Sequence, residues 1–287
     1  MIKGLGTALI TPFDANGAVD YKALTRLLDT QLTGFVDYIV VLGTTGEAAT
    51  MSEKEREEVR TYIRQYVNGR LPLVLGVGGN CTAAVCETLR TIDLKGFEAI
   101  LSVCPYYNKP NQEGLYQHFC AIAEVSPIPV ILYNVPGRTG VNLLPETVMR
   151  IYKAHPDKIA GIKEASGNVE QIKHLINLIN AEGNKREAPH VISGDDGIAC
   201  EIMEAGGAGL ISVASNAFTE DFWHIVHDKD AKLQAKYAQM VKLLFAEGNP
   251  VGIKAVLAQK GIIQNYLRLP LVPASAELQA QIQKELA

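Results

Sequence analysis

Lys163 is the residue in this sequence whose position most directly suggests covalent chemistry. It ends Ile159-Ala160-Gly161-Ile162-Lys163, a short apolar segment with the character of a buried strand. Burial disfavours the charged ammonium form of lysine, so a lysine here can serve as an amine nucleophile. We therefore expect Lys163 to form a Schiff base with a carbonyl substrate. A buried ion pair with Glu164 is the alternative, and it is disfavoured because adjacent strand residues point to opposite faces.

Two other segments could hold a substrate carboxylate. Gly43-Thr44-Thr45-Gly46 offers two hydroxyls and, through its glycines, backbone N–H groups that can converge on an anion. Arg138 can bind a carboxylate through two parallel hydrogen bonds. An ordinary glycine-flanked turn and a surface arginine are the respective alternatives.

Tyr133 and Tyr107 are candidates for proton transfer, because a phenol hydroxyl can reorient and can both donate and accept a hydrogen bond. Each could instead be a packed core residue whose hydroxyl reaches water.

We expect no metal or nucleotide site. His224 and His227 lie on one helix without a third ligand, and the adjacent carboxylates of Asp195 and Asp196 are typical of a loop that faces water. The sequence contains neither a Gly-x-Ser-x-Gly motif nor a Walker loop.

The elements that must position these residues alternate regularly between short apolar runs and helical segments. Each candidate residue ends or follows a predicted strand, and alternation of this kind predicts a parallel sheet with both faces covered. Eight such units favour a (β/α)8 TIM barrel, in which the site lies at the carboxyl ends of the strands. The strand candidates are Gly6–Ile10, Tyr38–Leu42, Leu73–Gly76, Ala99–Val103, Val130–Tyr133, Ile159–Lys163, His190–Ser193 and Gly209–Val213.

An open doubly wound sheet is the alternative fold, but no Gly-x-Gly-x-x-Gly follows the first strand. After the eighth unit the sequence is helical to its end. The predicted helices are Phe218–Val226, Ala231–Ala246, Pro250–Gln259 and Ala274–Ala287. We therefore predict a catalytic barrel over residues 1–226 and a C-terminal helical extension over residues 227–287.

The amino-acid composition excludes several classes of binding partner. The 287 residues are 47% hydrophobic and 20% charged, which excludes a disordered chain. The net charge of −4 offers no basic stripe for nucleic acid or anionic lipid. Five cysteines without a Cys-x-x-Cys pair predict reduced thiols, and no apolar run is long enough to span a membrane. We expect a cytoplasmic protein whose partner is a small molecule.

Taken together, five motifs in this order resemble the dihydrodipicolinate synthase family of the pyruvate-dependent class I aldolases. The similarity also takes in Ala8-Leu9-Ile10-Thr11-Pro12-Phe13 and Asn249-Pro250, so it covers almost the whole chain. The motifs are Gly43-Thr44-Thr45-Gly46-Glu47, Tyr106-Tyr107-Asn108-Lys109-Pro110, Tyr133-Asn134-Val135-Pro136-Gly137-Arg138-Thr139-Gly140, Gly161-Ile162-Lys163-Glu164-Ala165-Ser166-Gly167 and Ser193-Gly194-Asp195-Asp196.

The resemblance implies a lyase of lysine and diaminopimelate biosynthesis that needs no cofactor beyond the covalent Schiff base between Lys163 and pyruvate. The enamine formed there would attack the aldehyde of L-aspartate 4-semialdehyde, and the substrate amine would then close a ring. Tyr133 would be the central proton donor and acceptor, linked through Thr44 to Tyr107. In this family that last tyrosine comes from a neighbouring subunit, which implies a homodimer at least and commonly a homotetramer, a dimer of dimers.

The resemblance also assigns the substrate contacts. Thr45 would hold the pyruvate carboxylate, Ile211 would pack on pyruvate, and the carbonyl of Gly194 would face the site. Arg138 would receive the carboxylate of the semialdehyde.

Two other functions remain open. N-acetylneuraminate lyases and 2-keto-3-deoxy sugar-acid aldolases share the lysine and tyrosine but typically lack an arginine in this loop, so Arg138 disfavours them. A binding protein on a barrel that has lost its activity is disfavoured because Lys163, both tyrosines and Thr44 are all present.

One position departs from the pattern of family members that lysine inhibits. Those members carry an acidic residue where this sequence has Ala84, and basic residues near where it has Glu53 and Arg56, whereas Asn80 and Tyr106 match. We therefore predict weak or absent inhibition by lysine.

Overall fold

The computed structural model of this protein describes residues 2–182 and 189–287. Within them, eight strands close into a parallel barrel in the order β1 to β8. The predicted (β/α)8 barrel is thereby confirmed, and the open sheet is wrong. The strands are β1 Gly4–Ala8, β2 Tyr38–Val41, β3 Leu73–Gly76, β4 Ala99–Val103, β5 Val130–Asn134, β6 Ile159–Glu164, β7 His190–Ser193 and β8 Gly209–Ser212.

Helices follow the strands and continue to the end of the chain. Those between strands are α1 Tyr21–Gln31, α2 Glu53–Val67, α3 Thr82–Thr91, α4 Gln112–Val125, α5 Pro136–Thr139, α6 Pro145–Ala154, α7 Val169–Ala181 and α8 Ala199–Glu204. The helices after β8 are α9 Thr219–His227, α10 Ala231–Phe245, α11 Val251–Gln259 and α12 Ala276–Leu286. The predicted helical tail is confirmed to within two residues at each boundary.

Local sequence signals explain where several helices begin. At α2, the Ser52 hydroxyl accepts from the backbone N–H of Glu55 at 3.3 Å, and the Glu55 carboxylate accepts from the backbone N–H of Ser52 at 2.9 Å. This reciprocal capping satisfies two backbone donors that the first helical turn leaves without partners. Asn168 caps α7 through a bond from the N–H of Gln171, and Pro145 occupies the first turn of α6.

Burial follows the predicted pattern. In each strand at most one residue is not fully buried, as a parallel sheet covered on both faces requires. Helix α7 buries the four apolar side chains Ile172, Leu175, Ile176 and Ile179, one face at helical spacing. Each such side chain contributes roughly 1.5–3 kcal/mol relative to an exposed one.

Strand β1 lies two residues earlier than the predicted Gly6–Ile10. The Asn216 side chain takes the place of a strand neighbour where the prediction would continue the strand. Its amide Nδ2 donates to the carbonyl of Ala8 at 2.8 Å, and its Oδ1 accepts from the N–H of Ile10 at 3.1 Å. The apolar run of the sequence therefore extends past the end of the backbone ladder.

The contacts of the chain divide it into two compact units. Pro72–Ile211 makes up most of the first unit, whereas Gly4–Leu71 and Ser212–Ala287 form the second. The predicted division into residues 1–226 and 227–287 stays a prediction.

No helix in the described part of the chain is long and apolar enough to cross a membrane.

Candidate active site

Lys163 and Tyr133 lie side by side on the neighbouring strands β6 and β5. The two residues are register partners in this parallel pair, so their side chains leave the same face of the barrel. Lys163 Nζ lies 4.5 Å from the centroid of the Tyr133 ring. Each residue is only 6% exposed. The structure thus brings the predicted nucleophile and the predicted proton-transfer residue together in a buried setting.

Gly194, directly after β7, leaves the space that the Lys163 side chain occupies. A Cβ atom at position 194 would lie 2.8 Å from Cε of Lys163 and 2.6 Å from Cβ of Ala165. Carbon atoms in favourable contact are about 3.5–4.0 Å apart, so a larger residue would displace the lysine. Position 194 therefore requires a glycine if Lys163 is to keep its place beside Tyr133.

The next residues along the same two strands form a hydrogen-bonded pair. Asn134 and Glu164 are also register partners, and Asn134 Nδ2 donates to both carboxylate oxygens of Glu164 at 3.2 and 3.0 Å. The carboxylate accepts further bonds from the N–H of Ser166 at 2.8 Å and from Nε2 of Gln171 at 3.3 Å. Strand residues alternate in direction, so this pair lies on the face opposite Lys163. Glu164 therefore binds the ends of the strands together rather than pairing with the lysine.

The charge state of Glu164 reflects two opposing effects. Burial raises the pKa of this carboxyl group, and the hydrogen bonds from Asn134, Ser166 and Gln171 oppose that rise because they stabilise the ionised form.

Tyr107 and Arg138 lie on exposed segments of the unit that contains Lys163. Tyr107 is 89% exposed and its backbone has a φ of +73°, in the left-handed region that a tyrosine rarely adopts. The preceding carbonyl of Tyr106 accepts a hydrogen bond from Nδ2 of Asn80 at 3.1 Å. Arg138 is exposed in the single-turn helix α5, which begins two residues after β5. The structure does not bury either residue with the Lys163–Tyr133 pair.

Two further residues of the unit that contains Lys163 are fully buried. Ile211 is fully buried in β8. Cys104 is also fully buried, and burial raises the pKa of its thiol far above the ordinary value. A thiol that stays protonated is a poor nucleophile, so the setting of Cys104 disfavours nucleophilic chemistry.

Thr44 and Thr45 belong to the second compact unit, in a 3-10 turn at Thr44–Gly46 that follows β2. Thr44 is exposed and Thr45 is buried. The Thr11 hydroxyl donates to the carbonyl of Gly46 at 2.7 Å, and Asn249 Nδ2 donates to the Thr45 hydroxyl at 2.8 Å. The turn is thus held from both sides by buried hydrogen bonds.

A second buried lysine in this unit was not predicted from the sequence. Lys254 lies in α11 with its side chain fully enclosed, and its ammonium pairs with the equally enclosed carboxylate of Glu47. A signal was available, because Lys254 is the one charged residue in the otherwise apolar helix Val251-Gly252-Ile253-Lys254-Ala255-Val256-Leu257.

The expectation that the acidic pair after β7 faces water is wrong for Asp196, which is fully buried, while Asp195 is partly buried. Asp195 accepts a hydrogen bond from the N–H of Gly197 at 2.8 Å and so caps the short turn Asp196–Ile198. Across residues 2–182 and 189–287, no group of three histidine, cysteine or acidic side chains is placed to hold a metal ion.

Comparison with known proteins agrees with this arrangement. The profile of the dihydrodipicolinate synthetase family matches residues 1–287. A 4-hydroxy-tetrahydrodipicolinate synthase of Parabacteroides distasonis is 48% identical over 279 residues, which cover 95% of this chain and 92% of that protein. The enzyme of the same name from Thermotoga neapolitana is 42% identical over 96% of this chain and 94% of its own length.

Solved structures show the same similarity. The crystal structure of dihydrodipicolinate synthase from Thermotoga maritima superposes with a TM-score of 0.94 at 39% identity, covering 100% of this chain and 98% of the other. A structure described as the first monomeric dihydrodipicolinate synthase variant has a TM-score of 0.93 at 40% identity, over 99% of this chain and 95% of its own. The chain therefore belongs to the dihydrodipicolinate synthetase family.

Proposed function

We propose that this chain is a carbon–carbon bond-forming lyase, a 4-hydroxy-tetrahydrodipicolinate synthase. It condenses pyruvate with L-aspartate 4-semialdehyde and so supplies the precursor of diaminopimelate and lysine. The observation that carries this proposal is the buried Lys163 Nζ, 4.5 Å from the ring centroid of Tyr133, on adjacent strands of the barrel. Relatives named for this activity cover nearly the whole chain, which supports it over the sugar-acid aldolases.

The chemistry begins at the amine of Lys163. Its nitrogen attacks the ketone carbon of pyruvate, water leaves, and a protonated imine remains. Loss of a proton from the pyruvate methyl group gives an enamine, whose carbon attacks the aldehyde of the second substrate. The substrate amine then attacks the imine carbon, closes the ring and releases Lys163. Because the imine itself draws electrons from the reacting carbon, the mechanism uses no metal or separate cofactor.

Proton transfers in this scheme fall to Tyr133. Its phenol lies beside Lys163, where it can donate a proton to the departing water as the imine forms. The resulting phenolate can take the proton from the pyruvate methyl group and then donate it to the oxygen of the new alcohol. We infer that Thr44 links this phenol to Tyr107. Thr45 would hold the pyruvate carboxylate, with Ile211 against the methyl group and the Gly194 carbonyl facing the site.

We assign the semialdehyde carboxylate to Arg138. The guanidinium is exposed to solvent, from which the substrate arrives, and its paired N–H donors match a carboxylate. A sugar acid with several hydroxyl groups would not use this contact in the same way.

We infer that the active unit is at least a homodimer, and that a dimer of dimers is the complete assembly. The 89% exposure of Tyr107 supports a role for that side chain in a neighbouring subunit. Weak or absent inhibition by lysine and a cytoplasmic location stay predictions from the sequence.

Borohydride reduction in the presence of pyruvate tests the Schiff base. Reduction traps the imine, so peptide mass mapping should find the pyruvate adduct on Lys163. The Lys163→Ala variant should form no adduct and lose turnover. Lys158→Ala is a matched control, because Lys158 directly precedes β6 and donates to the carbonyl of Ser126 instead. An adduct on another lysine, or none in the wild-type protein, would reject the mechanism.

A substrate comparison separates the two enzyme functions. Turnover of pyruvate with L-aspartate 4-semialdehyde should greatly exceed cleavage of N-acetylneuraminate by the same preparation. The reverse order of rates would favour the sugar-acid lyase.

A further inference from the structure

The turn that carries Thr44 and Thr45 ends in a residue held by the C-terminal helices. Glu47 follows the 3-10 turn and adopts a left-handed backbone conformation, with a φ of +55°. Its side chain points into the protein, where one carboxylate oxygen pairs with Lys254 Nζ. The other oxygen accepts the backbone N–H of Arg268 at 3.2 Å. We refer to residues 44–47 as the 44–47 turn.

The surroundings of Lys254 fix it in this position. Its ammonium also donates to the carbonyl of Tyr266 at 3.0 Å and lies 4.2 Å from the centroid of the Phe13 ring. Burial lowers the pKa of Lys254 to about 8, and the charge of Glu47 opposes that effect. The ammonium form therefore still predominates near neutral pH.

Arg268 also makes several contacts in the region around Glu47 and Phe13. Its guanidinium carbon lies 4.4 Å from the centroid of the Phe13 ring, so this ring contacts both cations. The guanidinium also donates to the carbonyl of Gly17 at 2.8 Å and to that of Thr50 at 3.1 Å, and pairs with Glu55.

A separate hydrogen bond reaches the 44–47 turn at Thr45, the residue proposed to hold the substrate carboxylate. Asn249, just before α11, donates through Nδ2 to the hydroxyl of Thr45 at 2.8 Å, and both side chains are buried. A hydroxyl that accepts this bond has its own hydrogen available in a direction set by the asparagine. Asn249 therefore fixes how Thr45 can donate.

We propose that Asn249 and Lys254 are positioning residues for substrate binding. Through Thr45 and Glu47 they hold the 44–47 turn in the shape that binds the pyruvate carboxylate. The proposal rests on the proposed function in one respect, the assignment of that carboxylate to Thr45. It gives the C-terminal helices a catalytic purpose, because both residues belong to the part of the chain that follows the last strand.

Energetic considerations favour this role over simple stabilisation. A buried ion pair contributes little net stability, because removing two charges from water offsets most of their attraction. Its geometry is nevertheless strict, since either partner alone would be a buried charge. Such a pair is suited to fixing one conformation of a loop whose small displacement would weaken binding.

Asn249→Ala tests the contact with Thr45. We expect the KM for pyruvate to rise about tenfold, as for the loss of one hydrogen bond, with kcat changed less than about threefold. In a Thr45→Val background the same substitution should have no further effect, because the hydroxyl through which it acts is gone. An additional tenfold rise in that background would show that Asn249 does not act through Thr45.

A test of the ion pair between Glu47 and Lys254 requires a variant that still folds. Lys254→Met alone leaves Glu47 as a buried charge without its cation, so it can unfold the protein. Glu47→Gln/Lys254→Met removes both charges at nearly constant volume. We expect this double variant to keep a wild-type thermal midpoint and yet show a KM for pyruvate raised at least about fivefold. A wild-type KM in the folded double variant would show that the pair is only structural.

Gln259→Ala provides a matched control on the same helix. Gln259 donates to the carbonyl of Gln279 at 2.8 Å rather than to the 44–47 turn, so its loss should leave the KM for pyruvate unchanged. The Lys163 adduct is measured in every variant at saturating pyruvate. Absence of the adduct from wild-type protein overturns the proposed function. A wild-type adduct together with an unchanged KM in Asn249→Ala overturns the positioning role alone.

Discussion

Lys163 and Lys254 are both buried lysines beside aromatic rings, yet their neighbours give them different chemistry. Lys254 faces the buried carboxylate of Glu47, which opposes the effect of burial on the ammonium and holds it in an ion pair. Lys163 instead faces the phenol of Tyr133, a group that can exchange protons with a reacting amine. We expect the type of neighbour, and not burial alone, to separate the ion-paired Lys254 from the proposed nucleophile Lys163.

At the residue scale, Tyr133→Phe tests the proton-transfer role. The substitution keeps the ring that packs against Lys163 and removes only the hydroxyl. We expect kcat to fall by about 10²–10⁴-fold, the usual contribution of general acid–base catalysis, with a smaller change in the KM for pyruvate. Steady-state kinetics of the purified variant measure both quantities.

Tyr116→Phe is the control for that experiment. Tyr116 lies on α4, where its ring contacts the guanidinium of Arg150 at 4.3 Å to the centroid, and it should be silent in catalysis. Equal losses of kcat in the two variants would show that Tyr133 has no special role in catalysis.

At the scale of elements, the strands could be predicted because a parallel barrel buries both of their faces. Short apolar runs mark such strands, and seven of the eight predictions start at the observed residue and end within one residue of the observed end. The end of β1 could not be found in this way. Its ladder gives way to the side chain of Asn216, which lies 206 positions from Ile10 in the sequence.

Contacts between residues that are distant in sequence also limited the prediction of the candidate site. Lys163 could be identified because an apolar strand that ends in lysine is unusual, and position alone then suggests its chemistry. Lys254 was overlooked because a lysine on a helix ordinarily reaches solvent. Its partner Glu47 is distant in sequence, so only the folded chain shows that the two charges meet.

Helices α3 and α4 offer an element-scale prediction about pH. His118 of α4 is buried, its Nδ1 bonds to the Thr82 hydroxyl of α3 at 2.9 Å, and burial lowers its pKa to about 4. The ordinary value is about 6.5, so between pH 6.5 and 4 the unfolded state binds a proton that the folded state does not. Acidification over this range should therefore cost up to about 3 kcal/mol of stability at this one residue.

The His118→Gln substitution should remove the contribution of His118 to the pH dependence of stability. The free energy of unfolding of the variant, measured by urea titration at several pH values, should decline less between pH 6.5 and 4 than that of the wild-type protein. Above pH 7 the difference between the two proteins should be constant, which serves as an internal control. Parallel curves throughout would show that His118 does not titrate in this way.

At the scale of the whole molecule, the order of the chain does not match its compact units. One unit unites the first two strands with the C-terminal helices, so the 44–47 turn is built on residues from both ends of the sequence. This arrangement explains how α11, far along the chain, comes to hold a turn that follows β2. Loss of the C-terminal helices would therefore remove the support of that turn.

The molecule also presents an unusual side chain to solvent. Tyr107 is 89% exposed in a strained backbone conformation, although burial of an aromatic ring is strongly favourable. We propose that a second copy of the chain covers this ring, because most oligomers are homo-oligomers built on two-fold symmetry. If Tyr107 acts in the neighbouring active site, each site combines residues from two chains.

Mixing two inactive variants distinguishes a tyrosine that acts across the interface from one that acts within its own chain. Lys163→Ala lacks the nucleophile, and Tyr107→Phe lacks the proton relay. In a mixed dimer, the chain with an intact Lys163 would receive Tyr107 from its Lys163→Ala partner, so one of the two sites would be complete. Refolding the variants together at equal concentrations should therefore restore about one quarter of wild-type activity, since about half of the dimers are mixed. If Tyr107 serves its own chain, no complete site can form, and the mixture should be no more active than the average of the separate variants.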